Sequence, residues 1–90
     1  MANPKKWTVT IEINELDRRT HAQATLDRAS MVTSIAGEGV ARRNPDDSEV
    51  PQIGDELAAA RALSDLAHRL IMATVEDIEA STHVPAHLEV

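Results

Sequence analysis

The sequence predicts an α+β fold in two layers: a three-stranded antiparallel sheet, order β-β-β-α, covered on one face by helix. Three observations predict it. Apolar and polar residues alternate with period two near the N-terminus. Apolar residues recur every three or four positions over the last third. A glycine-bearing run and a proline-containing loop lie between the two patterns. Strands joined by short links pair antiparallel, and an amphipathic helix then covers the apolar face.

The first strand is read over residues 7–13, where Trp7, Val9, Ile11 and Ile13 alternate with Thr8, Thr10 and Glu12. The charged stretch Glu15 to Arg19 turns the chain. From Thr20 to Asp27 the alternation resumes, with Ala22, Ala24 and Leu26 on one face. Arg28 to Ser34 is polar and ambiguous. A third strand runs from Ile35 to Arg43, its core face carrying Ile35, Gly37, Gly39 and Ala41. Glycine inside a strand marks close approach of another backbone, so the helix is expected directly over Gly37 and Gly39.

Asn44 to Gly54 reads as a loop, because Pro45 and Pro51 cannot donate to a ladder. Val50 and Ile53 are expected to pin it to the core. Residues 55–80 form the main helical segment, with Asp55 and Glu56 at the positive end of its dipole. Leu57, Leu63, Leu66, Ala67, Leu70, Ile71, Thr74 and Ile78 make the apolar stripe. Arg61, Asp65 and Arg69 follow one another at i, i+4 on another side. Thr74 with Asp77 resembles a capping box, so a break near Thr74 competes with one long helix. Pro85 ends any helix before it. Residues 1–90 are thus one domain, with 1–5 as an N-terminal tail and 82–90 as an arm that can reach a partner subunit.

Composition excludes several functions. The 90 residues contain no cysteine, which removes disulfides, thiolate zinc sites, iron–sulfur clusters and cysteine nucleophiles, and fits a cytoplasmic location. No apolar run reaches membrane-spanning length, and no signal peptide is seen behind Lys5 and Lys6. The single aromatic residue, Trp7, cannot build the stacking platform of single-strand binders. Nine basic residues against fifteen acidic ones give a net charge of −6, so phosphate binding would need a local basic patch. Burial and ordering nearly balance in so short a chain, and a second subunit would help it.

Motifs for chemistry are weak. Ser64, Asp65 and His68 are triad types, but Asp65 points elsewhere on a helix and no oxyanion site is suggested. His83 and His87 have a zinc-like spacing interrupted by Pro85, without a third ligand. Gly37-Glu38-Gly39 lacks the helix start of a phosphate loop, and Glu38 would repel phosphate. Asp46 and Asp47 read as solvated turn residues. We therefore expect no catalysis, no metal, no cofactor and no small-molecule substrate. The basic residues come in doublets: Lys5-Lys6, Arg18-Arg19 and Arg42-Arg43. Arg18, Arg19, Arg42 and Arg43 are the candidate phosphate contacts for structured RNA; solubilising charge at element ends is the plainer reading.

Several stretches carry a family resemblance. They are Trp7-Thr8-Val9, Gly37 to Pro45 (GEGVARRNP), Val50 to Leu57 (VPQIGDEL), Ala60 to Leu66 (ARALSDL) and Asp77-Ile78-Glu79-Ala80. The chain resembles a family of small actinobacterial proteins of unknown function with a dsRBD-like fold. One mycobacterial member is linked with dormancy, and the fold looks like that of ribosome hibernation promoting factors. The resemblance implies a homodimer and a stress or dormancy role at the ribosome. It also implies a departure: a dsRBD places lysines at the start of its last helix, whereas Gly54-Asp55-Glu56 is acidic here and would repel a phosphate strand. The alternative is a dsRBD-like protein-interaction module without nucleic-acid binding.

Overall fold

The computed structural model describes residues 3–28, 33–44 and 50–88. Three strands, β1 (Thr8–Leu16), β2 (Arg19–Asp27) and β3 (Ile35–Arg42), precede one helix, α1 (Pro51–Thr82). The sheet order is β1-β2-β3, with both pairings antiparallel. Period two therefore places Val9, Ile11 and Ile13 beside Leu26, Ala24 and Ala22. Those residues in turn lie beside Ile35, Gly37 and Gly39. The β1–β2 turn is only Asp17-Arg18, and Asp17 takes φ 57°, a left-handed value that aspartate tolerates in tight hairpins.

The helix lies over β3 and β2, and the two strand glycines make that approach possible. A Cβ on Gly37 would stand 2.5 Å from the Ala62 carbonyl oxygen, with the Leu66 amide nearer still. On Gly39 it would stand 2.7 Å from Arg61 Cβ and collide with the backbone of Ala58 and Ala62. The expectation of helix over glycine is met by direct backbone contact. The core between the layers is Ala22, Ala24, Leu26, Ala41, Ala58, Ala62 and Leu66, flanked by Ile35 and Leu70. It is thin because small residues on both layers let the backbones come close.

Several expectations are corrected or decided. The helix begins at Pro51, inside the stretch read as loop, because proline at the first helical position loses no hydrogen bond that would otherwise form. Asp55 and Glu56 consequently sit past the first turn, which holds no acidic residue. Val50 and Ile53 do not reach the core: both are exposed, Ile53 by 61%. Of the two alternatives left open at Thr74, one long helix is the one that forms: the Thr74 hydroxyl donates to the Leu70 carbonyl at 2.9 Å rather than capping a new turn. The buried stripe is Ala58, Ala62 and Leu66; Leu57 and Leu63 of the expected stripe are exposed. The strand boundaries also move: β1 starts after Trp7 and runs on to Leu16, and β3 stops at Arg42.

The helix closes at His83 in the left-handed conformation (φ 60°), its N–H donating to the Glu79 carbonyl. Beyond it the Ala86 N–H donates to Glu79 Oε2 at 2.8 Å, turning the tail back on the last helical turn. Among the described residues no helix is long and apolar enough to cross a membrane.

Candidate nucleic-acid interface

The register brings the four candidate arginines to one end of the sheet. Arg19 opens β2 and is the cross-strand partner of Arg42, which ends β3. Both have the parity of the face away from the helix. Arg18 occupies the adjoining turn, and its carbonyl accepts the Arg43 N–H at 2.8 Å, carrying the ladder one step past β3. Arg18, Arg19 and Arg42 are exposed and Arg43 is half-buried. None of Arg18, Arg19 and Arg42 enters an ion pair among the described residues. Lys5 and Lys6 precede β1 and fall at the opposite end. There Arg28 holds its guanidinium 5.9 Å from the Trp7 ring centroid, a cation–π arrangement.

The other motifs disperse. Asp65 is committed to β3: its Oδ2 accepts the Glu38 N–H at 2.9 Å and Arg69 Nε at 3.0 Å. The Glu38 amide, then the Arg69 guanidinium, holds the Asp65 carboxyl below the ordinary aspartate range. It orients no histidine, and Ser64 and His68 are exposed helix-surface residues. Gly37 and Gly39 pack against helix, and Glu38 lies 3.6 Å from His21 Nε2 on the opposite face. His83 is a helix cap and His87 lies in the tail. Asp46 and Asp47 fall outside the described residues. Among the described residues no group of three or more His, Asp or Glu is arranged for a metal.

Behind the arginine end lies a cavity of about 460 Å³ between the β1–β2 turn and the first turns of α1. Thr20, Arg18, Arg42, Ile53, Gly54 and Leu57 are among its lining residues. The sequence shows no sign of it, because its wall is the helical turn that proline disguised as loop. Thr20 was legible only as one more position on an alternating strand.

Together these features define a small β-β-β-α protein with an arginine-bearing sheet end and a thin, glycine-dependent core. The Rv2632c-like family matches residues 5–87, and the chain belongs to it. Rv2632c of Mycobacterium tuberculosis (strain ATCC 25618 / H37Rv) is 52% identical over 81 residues, which is 90% of this chain and 85% of that protein. Mb1767 of Mycobacterium bovis is 50% identical over 82 residues, 91% of this chain and 85% of that protein. The crystal structure of Rv2632c superposes with a TM-score of 0.81 at 50% identity, covering 93% of this chain and 98% of that one.

Proposed function

We propose that this protein is a non-enzymatic cytoplasmic homodimer that contacts ribosomal RNA through its arginine end, in the manner of hibernation factors during stress or dormancy. One observation carries the reading: Arg19 and Arg42 stand directly opposite in the ladder, with Arg18 and Arg43 joined beside them. Like charges opposed across strands destabilise a sheet, and an external phosphate removes that cost. The β-β-β-α order supports a dsRBD-like reading of the fold. The acidic Asp55 and Glu56 on α1 argue for contact through the sheet end instead of the dsRBD helix.

The dimer is supported by surface. The chain exposes 7104 Å², against about 5,200 Å² for a compact monomer of its mass. Its radius of gyration is 16.8 Å, where about 12 Å is usual for this length. The apolar face of β1 is left bare beside the helix, with Val9, Ile11 and Ile13 exposed by 41, 37 and 41%. A stable interface removes roughly 800 Å² per partner, which this excess supplies.

Cosedimentation with ribosomes over a salt series tests the reading. Log affinity should fall linearly with log salt, by about 0.9 per phosphate contact. Arg19→Gln with Arg42→Gln should weaken binding and flatten that slope by about two contacts. Absence from ribosomal fractions at low salt would end the RNA role. That result would favour the second reading, a protein-interaction module, which the bare apolar face of β1 supports by itself.

A further inference from the structure

We propose that two copies close into a sandwich: the outward face of α1 from a second copy seats on the bare apolar face of β1, beside the resident helix, and the exchange is mutual. This arrangement rests on the dimer reading and goes beyond it by naming both surfaces and their register.

The far side of α1 is the first reason. Successive helical residues advance by about 100°. On that spacing one row runs through Leu57, Ala60, Ser64, Ala67, Ile71 and Val75, centred opposite Ala62, which is fully buried against the sheet. Ile53 and Ile78 extend the row at its ends, and no charged residue interrupts it. Leu57, Ala60, Ser64 and Ala67 are exposed, and Ile71 and Val75 are half-buried. A helix covered on one side only carries polar and charged residues on the other. This helix has an apolar face on both sides.

The second reason is a match of levels and sizes. Gly37 abuts Ala62 and Leu66, and Gly39 abuts Ala58 and Ala62. Through the register, Ile11 lies level with Gly37 and Ile13 with Gly39. Outward of those helical turns stand Ser64 and Ala60. One step on, Val9 lies level with Ile35, which packs with Leu70 at the edge of the core, and Ala67 stands outward there. A two-fold axis running along the helices keeps these levels. It sets Ser64 over Ile11 of the other copy, Ala60 over Ile13 and Ala67 over Val9. Small helical residues thus meet large strand residues all along the contact, as close packing requires.

The third reason is the width of the bare strip. The helix lies over β2 and β3, so β1 is one and a half strand spacings from its axis, about 7 Å. Packed helices stand roughly 8–10 Å apart. The strip beside α1 therefore has room for one helix. Leu63, 42% exposed, lies about half a turn from Arg61 and so faces that second helix, where it meets its own counterpart. The nine residues of β1 span about 30 Å. A strip about 10 Å wide, given once as strand and once as helix, covers about 600 Å² per chain before the helix–helix contact is added, close to the 800 Å² of a stable interface.

The chain has no cysteine, so single cysteines report the geometry. Ile11→Cys and Ser64→Cys proteins, mixed and treated with a short bismaleimide, should give roughly fivefold more crosslinked dimer than either protein alone, because the contact joins unlike positions. Ser64→Glu places a carboxylate at an exposed site of the single chain and should keep its circular dichroism. In light scattering it should weaken the dimer by roughly thirtyfold, since the carboxylate is desolvated over Ile11. Gln23→Glu, on the outer face of the sheet, is the control and should change nothing. Crosslinking of Ile11→Cys alone as strong as the mixture means that β1 pairs with β1, and of Ser64→Cys alone that the helices meet back to back. Either result, or a dimer that Ser64→Glu leaves intact, overturns the sandwich and leaves the dimer reading standing. A chain that is monomeric at every concentration overturns both.

Discussion

The two edges of the sheet are treated in opposite ways. At β3 the helix supplies what a missing fourth strand would: Asp65 accepts the outward Glu38 N–H at 2.9 Å and Arg61 Nη1 donates to the outward Val40 carbonyl at 2.7 Å. Arg69 steadies Asp65 from the next turn. At β1 nothing comparable exists among the described residues, and the apolar face of that strand is bare as well. An open edge with unpaired backbone groups and exposed apolar side chains invites another chain. The difference follows from where the helix can sit. Glycines at 37 and 39 draw it onto β3, and a single helix cannot then also cover β1.

The comparison breaks most sharply if the glycines are filled. Gly39→Ala drives a methyl into the backbone of α1, and the helix must lift from the sheet. We expect a loss of roughly 3 kcal/mol or more in urea unfolding, at the upper end of overpacking effects. Gly54→Ala is the control: its nearest neighbour is a side-chain oxygen at 3.0 Å, and the expected change is well under half as large. Equal effects at the two positions would mean that the helix does not depend on the close approach.

The open edge is tested next by Ile11→Asp. Ile11 is 37% exposed in the single chain, so a carboxylate there costs the monomer little. Buried between two chains, it would be desolvated and unpaired. Light scattering across a dilution series should show the dimer weakened at least a hundredfold, about 3 kcal/mol, with the circular dichroism of the fold retained. An unchanged assembly would place the interface elsewhere, at the tail or the polar face.

Much of this asymmetry was legible in the sequence and some was not. Period two gave the three strands and the faces of most residues in them, while Glu15, Leu16 and Arg19, which belong to β1 and β2, read as turn. The glycines at 37 and 39 announced the helix above them, since few other causes place two alternate glycines in one strand. Arg61, Asp65 and Arg69 were visible as a helix-surface row, but a spacing of four cannot reveal that a strand edge lies alongside. The helical leucines misled for a related reason. An apolar stripe says which side of a helix avoids water, yet Leu57 and Leu63 are exposed because the helix turns Ala58, Ala62 and Leu66 toward the glycines. The arginine end was foreseeable as doublets, while its assembly required the register that pairs Arg19 with Arg42.

The sealed edge yields the smaller effects. Arg61→Met keeps most of the aliphatic stem and removes the donor to Val40, which leaves one carbonyl to water. About 1 kcal/mol is expected from urea unfolding, since the site is exposed and the carbonyl can be rehydrated. A loss of several kcal/mol would show instead that the stem, and not the hydrogen bond, holds the edge.

Asp65 gives the last and smallest signal, and its sign is fixed. The Glu38 amide and the Arg69 guanidinium favour the ionised carboxyl, so its affinity for protons is lower in the folded chain than in the unfolded one. The contribution is therefore fully present above the ordinary aspartate range and is lost as pH falls through the lowered folded value. Asp65→Asn retains an oxygen that can accept the Glu38 N–H but never ionises. At pH 7 the variant should unfold at slightly lower urea than the natural chain. As pH falls through the ordinary aspartate range and below it, the natural chain should lose more of its midpoint than the variant, and the two should converge. A gap that stays constant over that range would show that shape at Asp65 matters and its charge does not. The electrostatic part of the contrast between the two edges would then fall away, leaving the glycines as its cause.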